Sequence, residues 1–175
     1  MSLPMAPGTY GIDTMHSQLG FSVEHLGISI VRGTFDRYRG SLTVGETLAD
    51  TSVTLDAEMT SMNSGNAMRD GHMHGADFFD VANHPTMTFR STSIVDAGDN
   101  YEMTGDLTIR ATTQPVTFSV TYNGSAVFPM DQSTHHGFAA VGSISRSEYG
   151  MSYGVPLVSD EVALSLELQF IQPAG

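Results

Sequence analysis

Residues 162–170 read Val162-Ala163-Leu164-Ser165-Leu166-Glu167-Leu168-Gln169-Phe170. Every even position is apolar and every odd one is small or polar. A period of two sustained over nine residues sends the apolar set to one side of a β-strand, whereas a helix would scatter it around a cylinder. The same alternation recurs upstream. Leu19, Phe21 and Val23 alternate with Gly20, Ser22 and Glu24. Val53, Leu55, Ala57 and Met59 alternate with Ser52, Thr54, Asp56 and Glu58. Tyr101, Met103, Leu107 and Ile109 share one phase, as do Val116, Phe118, Val120 and Tyr122. Shorter versions lie at residues 31–35, 87–91 and 138–144, giving about eight strands.

The outward positions are dominated by Thr and Ser, which suit a wet pleated face. One wet face per strand argues against helices covering both sides of a parallel sheet. Long strands in sequence order, with turns expected at Asp96–Asn100 and Asn123-Gly124, predict an all-β, eight-stranded, antiparallel up-and-down barrel. Residues 63–83 break the pattern. They predict a short helix around Ala67–His74 and a tight turn at Ala76–Phe79, in a connection long enough to act as a lid or binding element. The reading is one domain over residues 1–175, with an ordered core of about residues 10–171.

Composition narrows the function classes. The 175 residues carry 19 acidic and 7 basic side chains, a formal net charge of −12; every cation is Arg and there is no Lys. That balance disfavours nucleic acid, whose binding rests on phosphate neutralisation, and docking on anionic lipid. Without Cys there is no thiol catalysis and no Cys-ligated metal. No apolar run approaches the ~18 residues of a spanning helix, so no stable membrane insertion is expected. The first residues show neither a basic region nor an apolar stretch, which leads to the expectation of a cytoplasmic protein.

Few residues offer chemistry. His25 continues the apolar phase of Leu19, Phe21 and Val23, and is either a satisfied core histidine or a polar handle inside a cavity. Arg146 follows Phe138, Ala140, Gly142 and Ile144 in phase. It must be paired or capped, either by backbone that closes the barrel end or by a ligand. The segment Arg69-Asp-Gly-His-Met-His-Gly-Ala-Asp77 is the densest functional cluster. Its His72 and His74 point apart on a helix, however, and no metal site is expected there. His135 and His136 read as solvated loop residues without a role. Asp56, Glu58, Glu102, Asp106 and Glu167 read as a solvated face, and nucleotide-loop or serine-hydrolase patterns are absent. No catalytic residue and no cofactor is expected. Nine Phe and eleven Met supply a soft apolar interior. Small or flexible residues at inward phase (Ala57, Met59, Met87, Met103, Gly105, Ala140, Gly142) suggest that part of it is open.

The chain resembles the YceI-like family of polyisoprenoid-binding, lipocalin-like barrels from Tyr10 to about Leu168. The resemblance is carried by Tyr10-Gly-Ile-Asp-Thr-Met-His-Ser17, Phe21-Ser-Val-Glu-His25, Gly33-Thr-Phe35, Arg69-Asp70 with His72, Asp77-Phe-Phe-Asp80, His84-Pro85, Phe89-Arg-Ser91, Gly105-Asp-Leu-Thr-Ile109, Ser145-Arg-Ser-Glu-Tyr-Gly150 and Ser159-Asp-Glu-Val162. Two departures are the lack of the secretion signal seen in many members and Ala111 where the family often has Gly. The resemblance implies an extended barrel, a helical element over one end, and an apolar tunnel for a long isoprenoid or related lipid. By analogy a homodimer is also conceivable. Strand phase then nominates Phe21, Val23, Phe35, Leu55, Met59, Phe89, Met103, Leu107, Phe118, Phe138 and Leu166 as the tail's contacts. His25, Arg69, His72 and Arg146 are candidates for its polar end. The expected function is non-enzymatic binding, with carriage or sequestration of the lipid. The alternatives are a hydrolase or isomerase using His72, His74, Asp70 or His25, and a partner-binding barrel with a packed interior.

Overall fold

A computed structural model describes residues 2–172. Eleven strands form one antiparallel sheet: β1 (Gly8–Ile12), β2 (Gln18–His25), β3 (Ser29–Phe35), β4 (Tyr38–Val44), β5 (Ser52–Glu58), β6 (Met62–Asn63), β7 (Thr86–Asp96), β8 (Tyr101–Ile109), β9 (Thr112–Val127), β10 (Thr134–Ser145) and β11 (Glu161–Ile171). They make only eight staves, because three staves are broken. β1 and β2 lie end to end along β11, at Gly11↔Ile171 and at Ala163↔Ser22 to Glu167↔Gln18. β3 and β4 continue one another across Asp36-Arg37, and β5 and β6 are joined by a 3-10 turn at Met59–Ser61. The ring closes where β1 meets both β4 and β11. The result is the closed eight-stranded antiparallel barrel expected from the alternation. Closure also removes the sheet edge that would otherwise invite pairing with other chains.

The breaks explain what periodicity missed. Alternation does not mark β1, a five-residue half-stave too brief to establish a period of its own, or β4, where Leu42 and Val44 face inward but Gly40 interrupts the apolar set. The Asn123-Gly124 turn is also corrected. These residues lie inside the 16-residue β9, where Gly137 faces Gly124 while Phe138 faces Tyr122. Asn123 is therefore the extra residue of a bulge, and Gly124 takes φ +112°, a conformation that favours glycine. The Asp96–Asn100 segment does turn, joining β7 to β8.

The two ends of the barrel differ. One half is filled by Leu3, Tyr10, Leu42, Val44, Ile94, Phe138 and Phe170, all buried. At the other end β6 pairs with β3, and β7 pairs with β5, but no register pair joins β6 to β7. The connection between them carries the single short helix α1 (Ala67–Met73). Its N-cap Asn66 accepts a hydrogen bond from the Arg69 N–H (3.0 Å). The turn that follows buries Phe78 and Phe79, and Phe79 meets Phe35 edge-on at 6.0 Å. This connection stands in for the sheet where the staves part.

Of the small or flexible inward residues, Met87 and Met103 line the open chamber, whereas the glycines do not open the interior as expected. A Cβ at Gly105 would lie 2.3 Å from Phe89 Cζ, and one at Gly142 would lie 3.1 Å from Phe118 Cδ1. The aromatic rings lean across and occupy that space. Ala57, Met59 and Ala140 are fully buried.

Candidate functional site: an apolar cavity with a cationic mouth

Behind the parted staves lies a cavity of about 410 Å³, within the range that holds a small organic ligand. Inward positions of β2, β3, β5, β7, β8, β9 and β11 wall it, and α1 with the 151–158 loop frames its opening. All of the ligand candidates named from the sequence lie on it except Met59 and Phe138. Met59 is sealed into the packing, with its N–H bonded to Pro85 O. Phe138 belongs to the filled half, stacked near Tyr122 (5.1 Å) and Phe170 (6.0 Å). It borders a separate void of about 40 Å³ that shares Val53, Met103, Leu168 and Phe170 with the main cavity. Strand phase identifies which side chains point inward but not how far along the axis the interior stays open. It also missed Met62 of the short β6, Met73 of α1, and Phe78, Met151 and Val158 of the connecting segments.

The polar groups gather toward the opening. His25 is exposed, so it is not the core histidine that its phase allowed. It ends β2 and bridges to Val158. Arg69 and His72 are also exposed and line the cavity from α1. Arg69 donates from Nε to Ser64 Oγ (2.7 Å) and from Nη2 to Ser64 O (2.9 Å). His72 Nε2 lies 3.1 Å from Asp77 Oδ2 and packs edge-on to Phe78 and Tyr153. Two arginines and two histidines line the cavity, and no Asp or Glu does.

Arg146 is the deepest cation, 4 % exposed. Nε donates to Ser159 O (2.9 Å), Nη1 to Met151 O (2.6 Å) and Tyr153 O (2.9 Å), and Nη2 to Val158 O (2.9 Å). Burial lowers its pKa and nearby Asp160 opposes that. Of the two sequence readings, backbone closure is the one this geometry builds: a guanidinium fork ties down the loop beside the opening.

Ser64 Oγ on the cavity wall donates to Asp70 Oδ1 and accepts from Arg69 Nε (2.7 Å), contacts that hold the segment before α1 in place. The histidine pair read as solvated loop is corrected: both belong to β10. His136 is buried, with Nδ1 3.1 Å from Tyr122 Oη, and burial pushes its pKa down, helped by neighbouring His135. Among the described residues no helix is long and apolar enough to cross a membrane.

Fold and cavity together define a small closed β-barrel with one apolar chamber opening beside a helix. The chain belongs to the YceI-like domain family, whose model matches residues 10–170. It is 34% identical over 166 residues to protein YceI of Escherichia coli, covering 93% of this chain and 86% of that one. It is 32% identical over 178 residues to a UPF0312 protein of Vibrio cholerae, covering 98% and 93%. Among solved structures it is similar to Burkholderia cenocepacia BcnA, with a TM-score of 0.80 and 25% identity over 90% of this chain and 98% of that one. A Saccharophagus degradans domain described as polyisoprenoid binding shares the fold, with a TM-score of 0.65 and 15% identity over 94% and 98%.

Proposed function

We propose that this protein binds a long-chain isoprenoid or related amphiphile, tail in the chamber and polar end at the opening, and that it carries or sequesters the lipid without chemical change. The observation that carries the reading is the chamber itself: apolar walls, with Arg69, His25 and His72 exposed where it meets solvent. About ten methylenes buried there contribute about 8 kcal/mol, the scale of a micromolar Kd, before the cost of ordering the tail. A tail longer than the chamber has a path to the smaller void if Met103 changes rotamer, since that flexible side chain borders both. The Saccharophagus domain that shares this fold is described as polyisoprenoid binding.

Carriage, rather than storage alone, is supported by the rim. Leu26, Ile28, Ile30, Val155 and Leu157 are exposed, Ile28 at 83%. They stand together because Leu26 N–H bonds Leu157 O at 2.7 Å and His25 bridges to Val158. An apolar collar beside an apolar chamber gives a tail a route that avoids water.

The test is organic extraction of the purified protein with mass spectrometry, followed by titration of the emptied protein with prenyl alcohols and fatty acids. A co-purifying lipid and saturable uptake are expected. Leu166→Trp, which fills the chamber from β11, should abolish uptake while leaving the far-ultraviolet spectrum intact. A chamber that is empty on extraction and refuses every such lipid overturns the reading.

A further inference from the structure

On the outer wall, where the ring closes, Asp13, His16 and His135 converge. Asp13 follows β1, and its N–H holds Gln169 O of β11 at 2.8 Å. Its Oδ2 lies 2.7 Å from His16 Nδ1 and 3.5 Å from His135 Nδ1. The three donor atoms all lie within 4.8 Å of one another, and among the described residues no other triple of His, Asp or Glu converges in this way. The His-x-His segment in α1 does not.

The surroundings orient each donor. Asp13 Oδ1 accepts the Met15 N–H (3.0 Å), leaving Oδ2 to the histidines. Ser133 Oγ gives its proton to Asp131 Oδ1 (2.7 Å), so it accepts from His135 Nε2 at 3.1 Å. The other ring nitrogen, Nδ1, faces two acceptors, Gln169 Oε1 (2.9 Å) and Asp13 Oδ2, so either a proton or a metal ion sits on that side of the ring. Asp13 Oδ2 and the two Nδ1 atoms thus converge on one point, which protons on the imidazoles or a single cation displacing them can occupy. Fixing the distal imidazole nitrogen with a hydrogen bond is how ligating histidines are held.

We infer that Asp13, His16 and His135 form a binding site for a borderline divalent cation of the zinc type, through Asp13 Oδ2 and both Nδ1 atoms. Zinc bonds of about 2.0–2.1 Å in a tetrahedron set donors about 3.3 Å apart, between the two separations observed here. Two imidazoles with one carboxylate suit zinc, nickel or copper(II) better than calcium or magnesium, and the absence of thiolate disfavours copper(I). Gln169 Oε1 lies 2.9 Å from His135 Nδ1. The site spans the segment after β1 and the start of β10, on either side of β11. Only Gly11↔Ile171 and Ile12↔Phe170 pair β1 with β11, so a bound ion reinforces the seam of the barrel.

The experiment uses untagged, chelator-stripped full-length protein, titrated with ZnCl2 by calorimetry and with CoCl2 by visible absorption. One equivalent, the ligand-field bands of four-coordinate Co(II), and a higher melting temperature with zinc are expected. His16→Gln/His135→Gln should weaken binding by at least roughly 100-fold, and the near-isosteric Asp13→Asn should weaken it too if the double variant does not fold. His72→Gln/His74→Gln should bind as the parent does. Absence of saturable binding, binding that survives the ligand substitutions, or binding lost with His72 and His74 overturns the inference.

Discussion

Replacing Arg146 with Met separates two roles that sequence left open. The guanidinium makes four hydrogen bonds, all to carbonyls of residues 151–159 and all between 2.6 and 2.9 Å. Met retains the apolar stem but leaves those carbonyls without a donor. Each buried carbonyl so stranded costs about 1–3 kcal/mol, but the loop can swing some of them to water. The net loss should therefore resemble that of breaking one buried charged contact, about 3–5 kcal/mol. For a chain of this size each kcal/mol moves the midpoint by about 2–4 °C, so Arg146→Met should melt about 10 °C lower. Amide hydrogen exchange should rise across residues 151–159 before it rises in β10 or β11. Arg146→Lys should fall between, since an ammonium offers three donors for four acceptors. A midpoint within about 3 °C of the parent, about 1 kcal/mol, combined with loss of lipid affinity, would refute the structural role and make Arg146 a ligand contact.

Gly105→Val should cost about 1–3 kcal/mol by overpacking, because its Cβ would meet Phe89 Cζ at 2.3 Å and Arg90 O at 2.6 Å; urea denaturation reads this, and a neutral result would mean that the aromatic ring moves freely. Burial lowers the pKa of His136 in the folded barrel, so unfolding takes up a proton below the ordinary histidine value. Its contribution to stability is whole above about pH 7 and is lost as pH falls from about 6.5 through the lowered folded value. His136→Phe should flatten the melting temperature between pH 7 and 5. Aspartates at positions 28 and 157 (Ile28→Asp/Leu157→Asp) should slow lipid transfer from vesicles while leaving equilibrium affinity within about threefold, as expected for a rim that acts on access rather than on the bound state.

The alternation at residues 162–170 and its repeats carried the fold, because a two-residue period has one geometric meaning and eight staves with one wet face have few ways to close. Strand phase likewise placed Phe21, Val23, Leu55, Leu107 and Leu166 inward, and they line the chamber. What phase cannot carry is position along the axis or the shape of neighbouring side chains. Met59 and Phe138 share the inward phase and still lie outside the chamber, and Gly105, which reads as open space, holds a phenylalanine ring from the next strand. His25 reads as buried from its phase and is exposed because its strand ends there. The cluster of Asp13, His16 and His135 was beyond reach for a different reason. His135 lies more than a hundred residues from Asp13 and His16, and only closure of the ring brings β1 against β11 with β10 beside it. Sequence determined which residues face in and which face out, since that is local stereochemistry. The tertiary structure decided where the barrel is hollow, what guards the opening and which distant donors meet, since those follow from where the staves break and how the ring closes.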